Sequence, residues 1–146
     1  MSRTIIKLFF YLCILTVLPS YAQNAVHYYF KTMDIRNGLS QNTVYQILQD
    51  RKGFMWFGTK DGLNRYDGLS YRVYKKENSG LGKNFITALY EDHEGNIWIG
   101  TDGGVFIYNP VLDSFTAFNQ TSDKGTVIKD FVTMIGSDEY DNIWIS

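Results

Sequence analysis

A stretch of about ten residues recurs three times along the chain, with a tryptophan at the same position in every copy. The first copy runs from Asp50 to Thr59, the second from Asp92 to Thr101, and the third, partial copy from Asp138 to Ser146. All three tryptophans of the chain occupy this position, with spacings of 42 residues (56 to 98) and 46 residues (98 to 144). A period of this kind predicts a fold assembled from similar structural units.

Each repeat is predicted to form a four-stranded antiparallel sheet. The apolar runs are too short, and too closely punctuated by turns, to form helices. In the first repeat the predicted strands are Val44–Gln49, Phe54–Thr59, Leu63–Asp67 and Tyr71–Tyr74. The second of these strands is continuously apolar rather than alternating, so we expect neighbours to cover both of its faces.

Four strands in about 42 residues are typical of a blade of a β-propeller. Stacked blades would bury Met55 and Phe57 on one face and Trp56 on the other. A β-sandwich would leave one face of each sheet exposed, and a β-solenoid would need a shorter repeat. The predicted fold class is therefore all-β, with about two and a half blades in an incomplete ring, since propellers typically have four to eight. Open sheet edges of this kind predict aggregation.

The residues that recur in the repeat are interpreted as structural. Asp at the first position of a turn can accept backbone N–H groups, and Gly at the fourth tolerates a positive φ. In the third copy Asp141 replaces this glycine, which is tolerable because Asp can adopt the left-handed conformation. The structural repeat positions are Asp50, Gly53, Trp56, Gly58, Asp92, Gly95, Trp98, Gly100, Asp138 and Trp144.

The first residues have the features of a secretory signal peptide. Arg3 and Lys7 precede an apolar run from Leu8 to Leu18, and small residues follow. Cleavage is predicted between Ala22 and Gln23, which implies an exported, periplasmic protein with no membrane span in its mature part. An uncleaved anchor is less favoured, because a spanning helix needs about 20 apolar residues. The only cysteine, Cys13, would be removed with the signal peptide, which excludes disulfides.

The sequence divides into five predicted segments. Tyr28–Lys31, before the first blade, is expected to be a strand of the kind that completes the last blade of a closed ring, and it would lack its partner here because that blade is absent. Because the third repeat stops in mid-blade, the chain is expected to be a fragment. The segments are a signal peptide (1–22), an N-terminal strand with the residues that lead into the first blade (23–42), blade 1 (43–84), blade 2 (85–130) and a partial blade 3 (131–146).

No constellation of residues points to catalysis, a cofactor or a metal. His27 stands alone, and the cluster around His93 (Glu91–Glu94) belongs to a repeat turn whose Asp recurs without the His. A net charge of −1 argues against nucleic-acid binding. The tryptophans could stack on sugars, but their repeat position favours packing between blades. The polar connections Lys76–Asn84 and Asn119–Lys129 are candidate recognition loops, although mobile linkers would have the same composition.

The stretch Asn37–Val44 followed by Asp50–Gly68 resembles the opening of the two-component regulator propeller family, and the resemblance extends from about Phe30 to Ser146. It implies the periplasmic sensor region of a hybrid two-component histidine kinase of the Bacteroidetes type. Such a receptor would sense glycan fragments and regulate polysaccharide-utilisation genes. The implied partners are an oligosaccharide, the remaining blades and a second copy of the receptor, with no cofactor.

Under this resemblance the chain itself is expected to be no enzyme, and the kinase domain of the intact receptor would lie outside it. Two alternatives remain open. One is a fragment of an exported propeller enzyme, such as a lyase or a glycosidase. The other is a structural or interaction propeller without catalytic activity.

Overall fold

The computed structural model describes residues 27–119 and 128–146, and the contacts divide the chain into two units, residues 1–31 and 32–146. In the first unit, residues 27–30 are exposed and residues 28–31 form no strand. The predicted role of Tyr28–Lys31 depends on pairing with the last blade of a closed ring, so it stays a prediction. The predicted cleavage site at Ala22 and Gln23 lies outside the described residues.

The first repeat folds into a four-stranded antiparallel sheet in which each strand pairs with the next along the chain. Its strands are β1 (Val44–Gln49), β2 (Met55–Thr59), β3 (Gly62–Tyr66) and β4 (Tyr71–Tyr74). The predicted meander is confirmed, although β2 begins one residue later than expected and β3 is shifted by one residue.

The second repeat forms the same sheet, after a single helical turn, α1 (Lys76–Ser79). Its strands are β5 (Ile86–Glu91), β6 (Ile97–Thr101), β7 (Gly104–Asn109) and β8 (Ser114–Ala117). The register shifts once in the first hairpin of each sheet, between Val44 and Gln46 and between Ile86 and Ala88. Because this irregularity recurs at equivalent positions, it belongs to the repeat rather than to one sheet.

The third repeat contributes a two-stranded antiparallel sheet, β9 (Ile135–Ser137) and β10 (Ile143–Ile145). Asp141, in the turn between them, has a φ of 62°, so the prediction that it adopts the left-handed conformation is confirmed. The protein is thus all-β and consists of successive antiparallel propeller sheets, as the sequence predicts.

Successive sheets contact each other mainly through their first strands. β1 packs against β5, and β5 packs in turn against β9. The first strands therefore lie on the inner side of the stack, where the strands of a propeller line the central channel.

A glycine in the second strand of each complete sheet receives a β-branched side chain from the next repeat. A Cβ atom on Gly58 would lie 2.7 Å from Cγ2 of Ile86, and one on Gly100 would lie 2.7 Å from Cγ1 of Val132. We call each of these positions a glycine seat. The seat lets one sheet approach the next closely enough to bury Ile86 and Val132 completely.

Both faces of β2 are covered, by different parts of the chain. Trp56 is 1% exposed and faces the second repeat, where its ring centroid lies 5.0 Å from that of Tyr108. Phe57, on the other face, packs with Leu39 and Met33 from the segment that precedes β1. Burial on both faces, predicted from the continuous apolar run, is thus confirmed, but residues 32–42 cover one face in place of a neighbouring sheet.

Candidate ligand-binding site

The carboxylate of Asp50 holds the turn between β1 and β2 together by hydrogen bonds. One oxygen accepts the backbone N–H groups of Lys52 and Phe54, at 3.0 and 2.9 Å. The other accepts the indole N–H of Trp56 at 2.8 Å. Gly53, which closes the turn, has a φ of 88°, as its position predicts. A single side chain therefore shapes the hairpin and orients the tryptophan that fills the space between sheets.

The same arrangement recurs in the other two copies. Asp92 accepts the indole N–H of Trp98 at 2.8 Å, and Asp138 accepts that of Trp144 at 3.1 Å. Burial raises the pKa of Asp92, but hydrogen bonds from Trp98 and Asn96 outweigh it and leave the pKa below its usual value. These carboxylates are ionised and occupied by donors at neutral pH, so they serve the turn rather than proton transfer.

The acidic cluster around His93 does not converge on one point. The carboxylate of Glu91 accepts the backbone N–H of Arg51 from the first repeat at 3.0 Å. Asp92 binds its own turn, while Nδ1 of His93 lies 3.4 Å from Asp141 in the third repeat. Among residues 27–119 and 128–146 no group of His, Cys, Asp and Glu side chains could hold a metal ion. His27 lies exposed in the first unit.

The predicted recognition loop Lys76–Asn84 is an ordered connection. It begins with α1, continues through the buried side chain of Leu81 and ends at Asn84, whose side chain accepts the backbone N–H of Lys76 at 2.7 Å. Asp61 ties the loop to the β2–β3 turn by accepting from Lys75 at 2.5 Å and from Asn84 at 3.1 Å. Most of the second predicted loop, residues 120–127, lies outside the described residues.

A row of three aromatic rings crosses the inner edge of the stack, one from each repeat. Tyr45 and Phe85 have ring centroids 4.9 Å apart, and Phe85 and Phe131 have centroids 5.8 Å apart. Tyr45 is 47% exposed and Phe131 52% exposed. We call these three residues the aromatic row. Half-exposed rings at the inner edge offer flat apolar surface where a propeller channel opens.

Sequence reasoning singled out the tryptophans and missed this row. Trp56 and Trp98 are buried between sheets, as the packing interpretation predicts, whereas Trp144 is 61% exposed. A signal for the row was present: Phe85 and Phe131 each stand directly before the β-branched residue that enters a glycine seat. Aromatic residues at equivalent positions of two repeats, partly exposed at Phe85 and exposed at Phe131, are candidates for binding.

A polar network joins the outer strands of the first two sheets. Arg65 and Arg72 face each other across β3 and β4, and Asp113 from the second repeat forms ion pairs with both. Asp113 also accepts hydrogen bonds from Tyr74 and Tyr108, at 2.6 and 2.7 Å. Burial, followed by the bond to Asp113, raises the pKa of Tyr74, so the phenol remains a donor. The network therefore holds the first two sheets in one relative position.

A family model described as the two component regulator propeller matches residues 38–61 and 80–103. Each match contains a first strand, the Asp turn and the strand that carries the tryptophan. The chain carries two-component regulator propeller repeats. The turn glycines and tryptophans Gly53, Trp56, Gly95 and Trp98 lie within these two matches.

Solved structures and a curated relative agree with the family. The chain is 30% identical to the extracellular domain of what is described as the hybrid two component system BT3049 from B. thetaiotaomicron, with a TM-score of 0.67. It is 29% identical to the corresponding domain of BT4673 from the same organism, with a TM-score of 0.68. It is also 44% identical over 54 residues to histidine kinase P4 of Formosa agariphila.

The matched proteins are much longer than this chain. The alignments cover 79% and 82% of the chain but 17% of each extracellular domain, and 4% of histidine kinase P4. Within the part of the chain that the structure describes, no helix has the length and apolar character needed to cross a membrane. The similar solved structures are extracellular domains of proteins described as hybrid two component systems.

Proposed function

We propose that this chain is part of the periplasmic, ligand-sensing propeller of a two-component receptor, and that the receptor senses oligosaccharides to regulate polysaccharide-utilisation genes. The family and the similar extracellular domains support the sensor role. The aromatic row supports the ligand class. In this proposal the histidine kinase that reads the signal belongs to the intact receptor.

The aromatic row has the properties that carbohydrate recognition requires. Sugar rings present flat C–H faces, and aromatic rings bind such faces by packing while leaving the hydroxyl groups in water. The rings of Tyr45, Phe85 and Phe131 pack against one another at interplanar angles of 54° and 82°, and each ring belongs to a different repeat. A ligand that spans them would therefore bind several blades at once and favour one relative position of those blades.

Binding of a panel of neutral oligosaccharides to this chain tests the proposal. Replacing Tyr45 or Phe131 by alanine is expected to weaken binding about threefold to tenfold each, since an aromatic contact is worth about 0.5–1.5 kcal/mol. Tyr140→Ala, which removes an exposed ring from the turn before β10, is the matched control and leaves affinity unchanged. Equal losses in all three variants, or cleavage of an oligosaccharide by the chain, would contradict the proposal.

A further inference from the structure

A cleft of about 190 Å³ lies between the first two sheets, at the end of the stack opposite to the aromatic row. The Asp turns of both repeats form its rim, with Lys52 on one side and Gly95 on the other. Phe54, Arg65 and Tyr108 line its interior. We propose that this cleft binds a small carboxylate, with Arg65 and Lys52 as the groups that recognise it.

The cleft has free donors and occupied acceptors. Among the described residues, Nη1 is the one guanidinium nitrogen of Arg65 with acceptors nearby, the hydroxyl of Tyr108 at 2.6 Å and Asp113 at 3.8 Å. The backbone N–H of Lys52 binds Asp50. No described acceptor lies within hydrogen-bonding distance of the ammonium group of the same residue. A ligand that enters the cleft therefore meets unused positive N–H groups, which carboxylate oxygens satisfy.

The two carboxylates on the cleft wall, Asp50 and Glu91, already accept hydrogen bonds from other groups of the protein. Asp50 accepts the indole N–H of Trp56 and two backbone N–H groups. Glu91 accepts the backbone N–H of Arg51 and lies 3.8 Å from the Nε atom of the same arginine. Their repulsion of an anion is reduced accordingly, whereas the charge of Lys52 is not offset by any described partner.

The guanidinium group of Arg65 is held in place before any ligand arrives. Its Cζ atom lies 4.8 Å from the ring centroid of Phe54 and 5.7 Å from that of Trp56. The side chain is 22% exposed, so it combines a fixed position with access from solvent. An arginine stacked in this way presents planar donors with little further loss of side-chain entropy, which suits a planar carboxylate.

The volume limits the ligand to a single ring or a chain end. A cavity of this size holds about six water molecules at about 30 Å³ each. A carboxylate on a six-membered ring is of suitable size, and the ring could come from an acidic sugar or from an aromatic acid. The biological role of this site rests on the proposed sensor function, but its location and chemistry are independent of the aromatic row.

Titration of this chain with D-glucuronate, benzoate and D-glucose, followed by calorimetry and by tryptophan fluorescence, tests the site. Trp56 lies on the cleft wall and reports on its occupancy. Saturable binding of glucuronate or benzoate, without binding of glucose, is expected, and the preferred acid identifies the source of the carboxylate. Equal binding of glucose, or no binding of either acid, overturns the proposal.

Two variants of the cleft and one control assign the binding to this site. Lys52→Glu changes an exposed side chain and is expected to weaken carboxylate binding about tenfold or more, since charge-assisted hydrogen bonds are worth about 1.5–3 kcal/mol. Arg65→Gln has the same effect provided that its near-ultraviolet circular dichroism matches the parent chain. Lys60→Glu, an equal charge change at the opposite end of the sheet, leaves affinity unchanged; a loss equal to that of Lys52→Glu would reject the site.

The same variants separate this inference from the proposed function. Lys52→Glu should leave binding of neutral oligosaccharides unaltered, and Tyr45→Ala should leave binding of the carboxylate unaltered. If oligosaccharides bind while both acids fail, the cleft is not a carboxylate site and the sensor proposal stands. If the acids bind while oligosaccharides fail, the aromatic row is not the ligand surface and the cleft stands.

Discussion

The interface between the first and second sheets differs from the interface between the second and third. In the first, Trp56 is almost fully buried, Asp113 links Arg65, Arg72 and two tyrosines, and the side chain of Arg51 reaches backbone carbonyl groups of the next Asp turn. In the second, the polar links are an exposed His93–Asp141 pair and a hydrogen bond from Tyr90 to Ser137.

Both interfaces nevertheless use the same glycine seat and the same Asp–Trp turn. The recurring positions of the repeat therefore pack each pair of sheets together, while residues that do not recur add the polar links that differ between the two interfaces. In the second repeat His93 and Ile107 stand at the positions equivalent to Arg51 and Arg65. The first interface is therefore expected to contribute more to stability than the second, mainly because Trp56 packs fully buried against Tyr108 there.

The largest expected effect comes from the tryptophans themselves. Trp56→Ala should lower the free energy of unfolding by about 3–5 kcal/mol, because it leaves a cavity in a fully buried core. Trp144→Ala should change it by at most about 0.5 kcal/mol, because that side chain is mostly exposed. Urea unfolding followed by far-ultraviolet circular dichroism measures both, and similar losses would mean that the two positions are equivalent after all.

A smaller effect is expected at the glycine seat. Gly58→Ala should destabilise the chain by about 1–3 kcal/mol, because the new methyl group meets Ile86. Gly136→Ala is the control, since a Cβ atom there meets nothing within 4 Å. In Gly58→Ala combined with Ile86→Ala the losses should be less than additive, by about 0.5–3 kcal/mol. Strict additivity in urea unfolding would show that the two residues do not act as a pair.

The smallest effect concerns pH. Asp92 and Asp138 both have lowered pKa values in the folded chain, that of Asp138 about 2, with the side-chain hydrogen bond from Asn142 as its main cause. The stability they contribute is complete above the unfolded pKa of about 3.9 and is lost as the pH falls through the folded pKa. Stability should thus decrease between about pH 4 and pH 2.

Replacing each aspartate by asparagine shows how much of this pH dependence comes from each of the two turns. Asp138→Asn should flatten the decrease more than Asp92→Asn, because the pKa of Asp138 is lowered further, to about 2, and the size of this shift sets the pH dependence. Urea unfolding at a series of pH values measures the slopes. A steeper slope in Asp92→Asn than in the parent chain would contradict the assignment of the titrating group.

The sequence was sufficient to predict the strands, the turns and the burial of β2, because each depends on residues close together in the chain. Periodicity located Gly53, Trp56 and their equivalents for the same reason. The strand predicted at Tyr28–Lys31 is of a different kind, since its formation depends on a distant partner strand and not on the local pattern alone.

Neither candidate site could be predicted from residues that are close together in the sequence. The aromatic row and the carboxylate cleft combine residues from different repeats, so no window of sequence contains either of them. Arg65 gave no signal, because its neighbours in the cleft, Tyr108 and Glu91, are distant in the chain. The hypothesis that His93 is structural agrees with its position, since the groups beside it in sequence diverge in space.

The glycine seat also bears on how such a chain can grow by duplication. Gly58 and Gly100 each accept a β-branched side chain from the following repeat, so a copied repeat could be inserted between two others and still fit both neighbours. Ser146 occupies the equivalent position in the third repeat. Because Ser146 carries a Cβ atom and a hydroxyl group, the third repeat does not have the glycine seat of the other two.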